Sequence, residues 1–290
     1  MLSEIKVEAP PYRELSPWRL WRDGSRQQKA CLFGGWLALL VLCIALGVGM
    51  VVWRWSGIPL EFGGVTIYLT VYPPLLICML LTLTLGWWWG AIPAYCATFS
   101  LAIYAGMPLP WAMLFAFSNP LGFAIMVIGY QAIAMRRDLR GLNPLLFYVQ
   151  LAFIASVFGS SGALIWSYTN HYEPAALLPI WQGWWLGAFL QSVLIAGPAM
   201  ALVWPWVDRW MAAHPQLMRD TFRSSRQSIL GLLASVTLGV LIYGFVTIQL
   251  GGAADRSRVA GARAGRAAPD HVDLLLGVRG DRGVHGLLRL

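Results

Sequence analysis

The side chains able to do acid–base, nucleophilic or metal chemistry are few in this 290-residue chain, and their spacing gives them little to work with. His171 and Glu173 stand two residues apart, which suits a metal-binding or proton-transfer pair, but an ordinary solvated loop accounts for them more simply. The other histidines, His214, His271 and His285, form no H-x-x-H or H-E-x-x-H pattern with which a helix face holds zinc. The cysteines, Cys31, Cys43, Cys78 and Cys96, include no C-x-x-C pair and sit among apolar residues, where a thiol packs as a small hydrophobe. A Gly-rich phosphate loop and a G-x-S-x-G nucleophile elbow are also lacking. The expectation is a protein that is not an enzyme and that uses no metal and no cofactor.

Neutral polar groups and helix breakers remain. Pro73-Pro74, Pro93, Pro120, Pro198 and Pro205 each remove a helix donor, and in lipid the freed carbonyls must be met by neighbouring helices or water. Broken helices of this kind line cavities. Asn119, Gln131, Gln150, Gln182 and Gln191 are the amides that can project into one, with Tyr68 and Tyr72 beside them. The candidate ligand pocket is drawn from Tyr72, Asn119, Gln182, Trp184, Trp185 and Gln191, near the breakers Pro120 and Pro198. For each amide taken singly, an interhelical hydrogen bond of about 0.6 kcal/mol competes with the ligand contact.

The elements that hold these residues follow from composition. Hydrophobic residues make up 58% of the chain and charged residues only 12%, against roughly 25% in a soluble domain, too few to coat a water-facing surface. Asp, Glu, Lys, Arg and His are missing altogether from 65–135, 141–170 and 174–207. A bilayer core about 30 Å thick takes about 20 residues per helix, so the first of these stretches must fold back on itself. Long apolar runs without alternation satisfy their backbone in lipid as helices. The predicted fold is therefore all-α, a polytopic transmembrane bundle of about seven spans. They cover 31–53, 66–85, 89–104, 110–133, 145–166, 181–203 and 229–250, and none contains Asp, Glu, Lys, Arg or His. Gly86-Trp87-Trp88-Trp89-Gly90 reads as the hairpin tip between the second and third, and Trp near other span ends as an interfacial belt.

Orientation follows from the basic residues. The N-terminal segment holds Lys6, Arg13, Arg19, Arg22, Arg26 and Lys29, the fourth connection Arg136, Arg137 and Arg140, and the sixth Arg209, Arg219, Arg223 and Arg226. All three are expected in the cytoplasm, and the loop around His171 outside. Positive-inside loops explain much of the net charge of +8, so no nucleic acid partner is expected. The chain divides into a cytoplasmic segment 1–30, a membrane bundle 31–250 and a tail 251–290. The tail contains no Trp, Tyr, Phe, Lys, Met or Cys but seven Arg. It is either a flexible terminus or an out-of-frame reading of a longer gene. The reading favours the second, with an eighth span lost after Leu250.

Certain residues also carry a resemblance. Tyr72-Pro73-Pro74, then Gly86-Trp87-Trp88-Trp89-Gly90 with Pro93 following, then Asn119, then Trp184-Trp185-Leu186-Gly187 with Pro198 beyond, fall in this order along the chain. Over residues 32–205 that order resembles the bacterial membrane-associated sensor domain of the first type. The resemblance implies a multi-span input module joined to cytoplasmic diguanylate cyclase, cyclic-di-GMP phosphodiesterase or histidine kinase domains. One departure is that the Asp often found directly after the Trp-Trp-x-Gly element is Ala188 here, and Gln191 replaces a commonly small residue. The ligand class therefore does not carry over. The function expected is a sensory input module of the bacterial inner membrane, perceiving a small ligand or membrane state and signalling to an output domain absent from this chain. Its partners would be the lipid bilayer, an unknown small ligand and a second copy packed helix to helix. The rival reading is a membrane substrate-binding subunit of a transporter, and a third, weaker one is an integral-membrane enzyme.

Overall fold

The structure is a computed structural model that describes residues 12–53, 57–62, 65–172 and 174–220. The expected seventh span, the tail and Glu173 lie outside the described residues. Every described residue belongs to one unit, residues 1–243, and a second unit, 244–290, lies wholly outside them.

The chain enters through strand β1 (Arg13–Leu15) and a short helix α1 (Pro17–Asp23). Ser16 caps α1 by accepting from the Arg19 amide, with Pro17 preset for the first helical position. Helix α2 (Arg26–Val52) starts on a capping box: the Ser25 hydroxyl accepts from the Gln28 amide at 3.2 Å, and the Gln28 side chain accepts from the Ser25 amide at 2.9 Å. Only Cys43, Gly47 and Gly49 of α2 are buried, and residues such as Leu37 and Val41 face outward. A soluble bundle would bury that surface.

The second expected span is corrected in its first part. Thr66 lies in strand β3 (Val65–Leu69), which pairs antiparallel with β2 (Ile58–Phe62), Ile58 opposite Leu69 and Phe62 opposite Val65. Only α3 (Pro73–Leu85) is helical there. The β-branched run Val65-Thr66-Ile67 favours a strand, and Pro73 holds Tyr72 extended at φ −119°, so the helix begins at the proline. The turn after α3 is Gly86 at φ +120°, and α4 (Trp87–Tyr104) follows at once. The three tryptophans thus form the first turn of a helix, and the hairpin tip is the glycine alone. Gly90 brings α4 against α3 so closely that a Cβ there would lie 2.1 Å from the Cys78 carbonyl oxygen.

The fourth and fifth spans are each two helices in line. Helix α5 (Leu109–Ala116) passes into α6 (Ser118–Ala132) at Phe117, and α7 (Leu142–Gly159) into α8 (Gly162–Thr169) at Ser160-Ser161. The two breaks meet, because Gly162 lies against Ser118 and Gly122 against the Ala155 carbonyl. The sixth span is α9 (Pro174–Gln191), a π-helical stretch Ser192–Ala196 and α10 (Gly197–Ala213). A 3-10 turn then leads into β4 (Met218–Asp220), which returns to pair with β1, Arg13 opposite Asp220.

Among the described residues the fold is all-α apart from these two small ribbons. Four helical segments among the same residues, Arg26–Val52, Leu109–Ala132, Leu142–Thr169 and Ala176–Ala213, are long and apolar enough to cross a membrane, and α3 is a shorter apolar helix. Two cores result. One joins Cys43, Met79, Ala97, Met126, Tyr148 and Met200 through the middle of the bundle, and the other gathers Leu15, Leu20, Trp89, Trp204 and Leu217 at one end.

Candidate functional site

Among the six residues expected to line a pocket, Tyr72 and Gln191 meet directly. The Gln191 side chain, 5% exposed at the end of α9, accepts from the Tyr72 amide at 2.9 Å and donates to the Thr70 carbonyl at 2.8 Å and the Gly187 carbonyl at 3.0 Å. It therefore ties α9 to the strand-to-helix junction before α3, where Pro73 leaves backbone groups without helical partners. Gly187 makes this possible, since a Cβ there would lie 2.3 Å from the Thr70 carbonyl oxygen.

Asn119 joins the same region through α4. Its amide donates to the Thr98 hydroxyl at 3.0 Å, and Thr98 in turn adjoins the buried Tyr72 phenol. The phenol lies between α2 and α4, beside Gly47 and the Ala97 carbonyl. Trp184 and Trp185 diverge. Trp184 packs on Phe115 and Trp166, whereas Trp185 packs edge-on against Phe153 with its buried indole N–H unpartnered among the described residues. Gln182 is half-buried more than two turns before Gln191. The structure thus unites Tyr72, Asn119 and Gln191 in one polar chain and sends Trp184 and Trp185 to separate aromatic neighbours.

Directly after Gln191 the helix widens. The Tyr148 hydroxyl donates to the Ser192 carbonyl at 2.7 Å, and the Ser192 hydroxyl donates to the Ala188 carbonyl at 2.7 Å. Single π turns inside α-helices occur frequently at functional sites. This one sits where α9 becomes α10.

Helix α10 carries Trp204 to a second cluster, which sequence reasoning missed. Arg137, counted from the sequence only as a loop charge, is 6% exposed. Its guanidinium lies 3.9 Å from the Trp204 ring centre and 4.3 Å from that of Tyr12. One nitrogen donates to the Leu83 carbonyl at 2.9 Å and another to the Arg13 carbonyl at 3.4 Å. Leu83 belongs to the last turn of α3, whose carbonyls lack intrahelical partners and whose dipole end attracts a cation. Arg137 is thus a C-cap for α3, a stacking partner for α10 and a tie to β1 at once. Burial pulls its pKa down, with the nearby Tyr12, Tyr130, Asp208 and Glu14 acting in the opposite direction.

Glu14 completes the cluster. Gln131 at the end of α6 donates to it at 3.3 Å, and burial pushes its carboxyl above the usual carboxylate range against the pull of Gln131, Arg219 and Arg137. The loop is itself held by Asp138. Burial pushes that carboxyl up, but the paired hydrogen bonds from Arg136 at 2.5 and 3.2 Å and the Arg140 amide at 3.3 Å outweigh it and hold the carboxyl low. Leu139 follows at φ +54°. Adjacent Arg136 and Arg137 look alike in sequence. The acid beside them, which engages one and leaves the other free to turn inward, is the only signal that separates them.

Remaining chemistry is sparse. The Cys43 and Cys78 thiols lie 3.7 Å apart in the core. Among the described residues no group of three or more His, Cys, Asp or Glu is arranged to hold a metal ion. The basic segments around Arg13, Arg137 and Arg219 converge at one end of the bundle, as the ribbon and the Arg137 contacts require. These features define a helical bundle with membrane-length apolar segments, a buried amide junction in its middle and a buried arginine at one end. No protein-family model, no curated protein and no solved structure matches the chain.

Proposed function

We propose that the chain is a polytopic sensory input module of the bacterial inner membrane. It would hold the N-terminus and the Arg137 cluster in the cytoplasm and signal to a cyclic-di-GMP or kinase output domain. The observation that carries this reading is the continuity of α9, the π turn and α10, which joins the Gln191 junction to the Arg137 cluster. A ligand or membrane state that changes how Gln191 holds Tyr72 favours one helix arrangement over another, and α10 moves Trp204 on Arg137 in response. The Trp185 indole, unpartnered among the described residues, is a group that an uncharged small ligand with a hydrogen-bond acceptor would satisfy. The stretches 65–135, 141–170 and 174–207, without Asp, Glu, Lys, Arg or His, weigh against ion coupling but not against a substrate-binding transporter subunit that draws energy from partner subunits, which stands as the second reading.

The test is a chimera with a diguanylate cyclase domain joined after Asp220, expressed at matched membrane levels as the parent and as Gln191→Leu and Arg137→Met variants. The reading expects cellular cyclic-di-GMP to change at least threefold in both variants. Equal output from all three chimeras would reject it.

A further inference from the structure

The surface at the N-terminal end combines exposed tryptophans with basic side chains. Helix α1 buries Leu20 completely in the end core and turns Trp18 and Trp21 outward, 70% and 65% exposed. Two neighbouring tryptophans in water are unfavourable, and at the headgroup boundary they are at home, with the ring in the acyl region and the indole N–H reaching polar groups. The charges around them are mostly positive. Arg22, Arg26 and Lys29 follow in sequence, and Asp23 is the sole acid between residues 15 and 60. Asp23 engages Arg22 at 2.8 Å, while Arg26 has no ion pair among the described residues and the Lys29 ammonium lies 6.0 Å from the Trp21 ring.

Depth follows from length. The 27 residues of α2 rise about 40 Å, roughly 10 Å more than the hydrocarbon core, so its terminal turns stand among headgroups. Arg26 and Lys29 occupy the first of these turns, and α1 precedes them by only Gly24 and Ser25.

We propose that α1 and the first turn of α2 form a docking surface for anionic phospholipid. Trp18 and Trp21 seat at the boundary, and Arg22, Arg26 and Lys29 face the phosphates. Basic residues at a membrane surface attract anionic headgroups, and the attraction weakens with salt. The occupant is the bilayer's own lipid, because the aromatic pair requires an acyl boundary that a free phosphate does not provide.

The experiment uses the full chain in phosphatidylcholine vesicles with trace spin-labelled phosphatidylglycerol or spin-labelled phosphatidylcholine. Electron spin resonance then gives the relative association of the two lipids with the protein. The wild type is expected to prefer phosphatidylglycerol about fivefold, and Arg22→Gln/Arg26→Gln/Lys29→Gln to lower the preference below about twofold. The single variant Arg26→Gln, which touches no described partner, should fall between them. Trp18→Ala/Trp21→Ala should reduce the amount of immobilised phosphatidylglycerol, and added salt should erode the wild-type preference. A triple variant that keeps the full preference overturns the proposal. An equal loss in Arg209→Gln, on the exposed side of α10, also overturns it, since the selectivity would then belong to net charge rather than to this surface.

Discussion

Arg137 offers the sharpest test of the packing, because its two simplest replacements should behave in an order opposite to chemical similarity. The charged hydrogen bond to the Leu83 carbonyl contributes about 1.5 to 3 kcal/mol, and a desolvated guanidinium on aromatic rings about 2 kcal/mol more. Against these stands the cost of burying a cation, several kcal/mol. Arg137→Met removes the gains and the burial cost together and leaves the Leu83 carbonyl without its partner, so the ribbon of β1 and β4 should loosen by about 1 kcal/mol, under tenfold in opening. Arg137→Lys keeps the buried charge, which as an ammonium is more strongly hydrated. It also cannot lie flat between Tyr12 and Trp204 while reaching both carbonyls. A loss of about 3 kcal/mol, or over a hundredfold in opening, is expected. The assay is limited trypsin digestion in lipid vesicles, comparing the cleavage rate after Arg219 with that after the exposed Arg209. A lysine variant as resistant as the wild type, or a methionine variant more sensitive than the lysine one, would refute the reasoning.

Other consequences follow from the same contacts. Glu14 has its folded pKa raised by burial, so the folded state holds that proton more tightly than the unfolded chain does. Wild-type stability should fall as pH rises from the ordinary carboxyl range through the raised value, and Glu14→Gln should flatten that fall. The labelling midpoint of the buried Cys43 and Cys78 thiols against temperature reads it, and an unchanged slope in the variant would count against the Glu14 assignment. Gln191→Leu leaves the Tyr72 amide and Thr70 carbonyl without their partner, and a loss of about 2 to 5 kcal/mol is expected in denaturant titrations of the detergent-solubilised chain. Gly90→Ala places a methyl 2.0 Å from the Thr82 hydroxyl and should separate α3 from α4, costing about 3 kcal/mol or preventing accumulation in the membrane, whereas Gly34→Ala on the open side of α2 should be neutral.

How much of this was legible depended on whether the signal was local. Charge-free stretches and proline positions marked where the described helices lie, though not the number of spans, because apolar length and missing donors act within a few residues. The strand at Val65–Leu69 escaped notice since an apolar β-branched run reads equally as the start of a span, and only its pairing with Ile58–Phe62 separates the two. Trp87 to Trp89 looked like one interfacial group. In the fold their N–H groups part company, Trp87 donating to the Pro120 carbonyl and Trp89 to the Leu15 carbonyl, and only Trp88 stays exposed. Asn119 and Gln191 were identifiable as polar groups in apolar surroundings, but their partners Thr98 and Tyr72 lie far off in sequence. Arg137 was hidden among loop charges for the same reason. Its burial depends on Tyr12, Leu83 and Trp204, which only the fold brings together.

The central claim is that the Gln191 junction and the Arg137 cluster are two ends of one coupled element. Hydrogen exchange of the full chain in lipid nanodiscs, compared between the wild type and Gln191→Leu, measures it at the amides of Arg13–Leu15 and Met218–Asp220. The account predicts at least tenfold faster exchange at both strands in the variant, with no such change for Leu202→Ala on the exposed side of α10. Exchange that accelerates around Tyr72 and Gln191 while both strands keep their wild-type rates would contradict it.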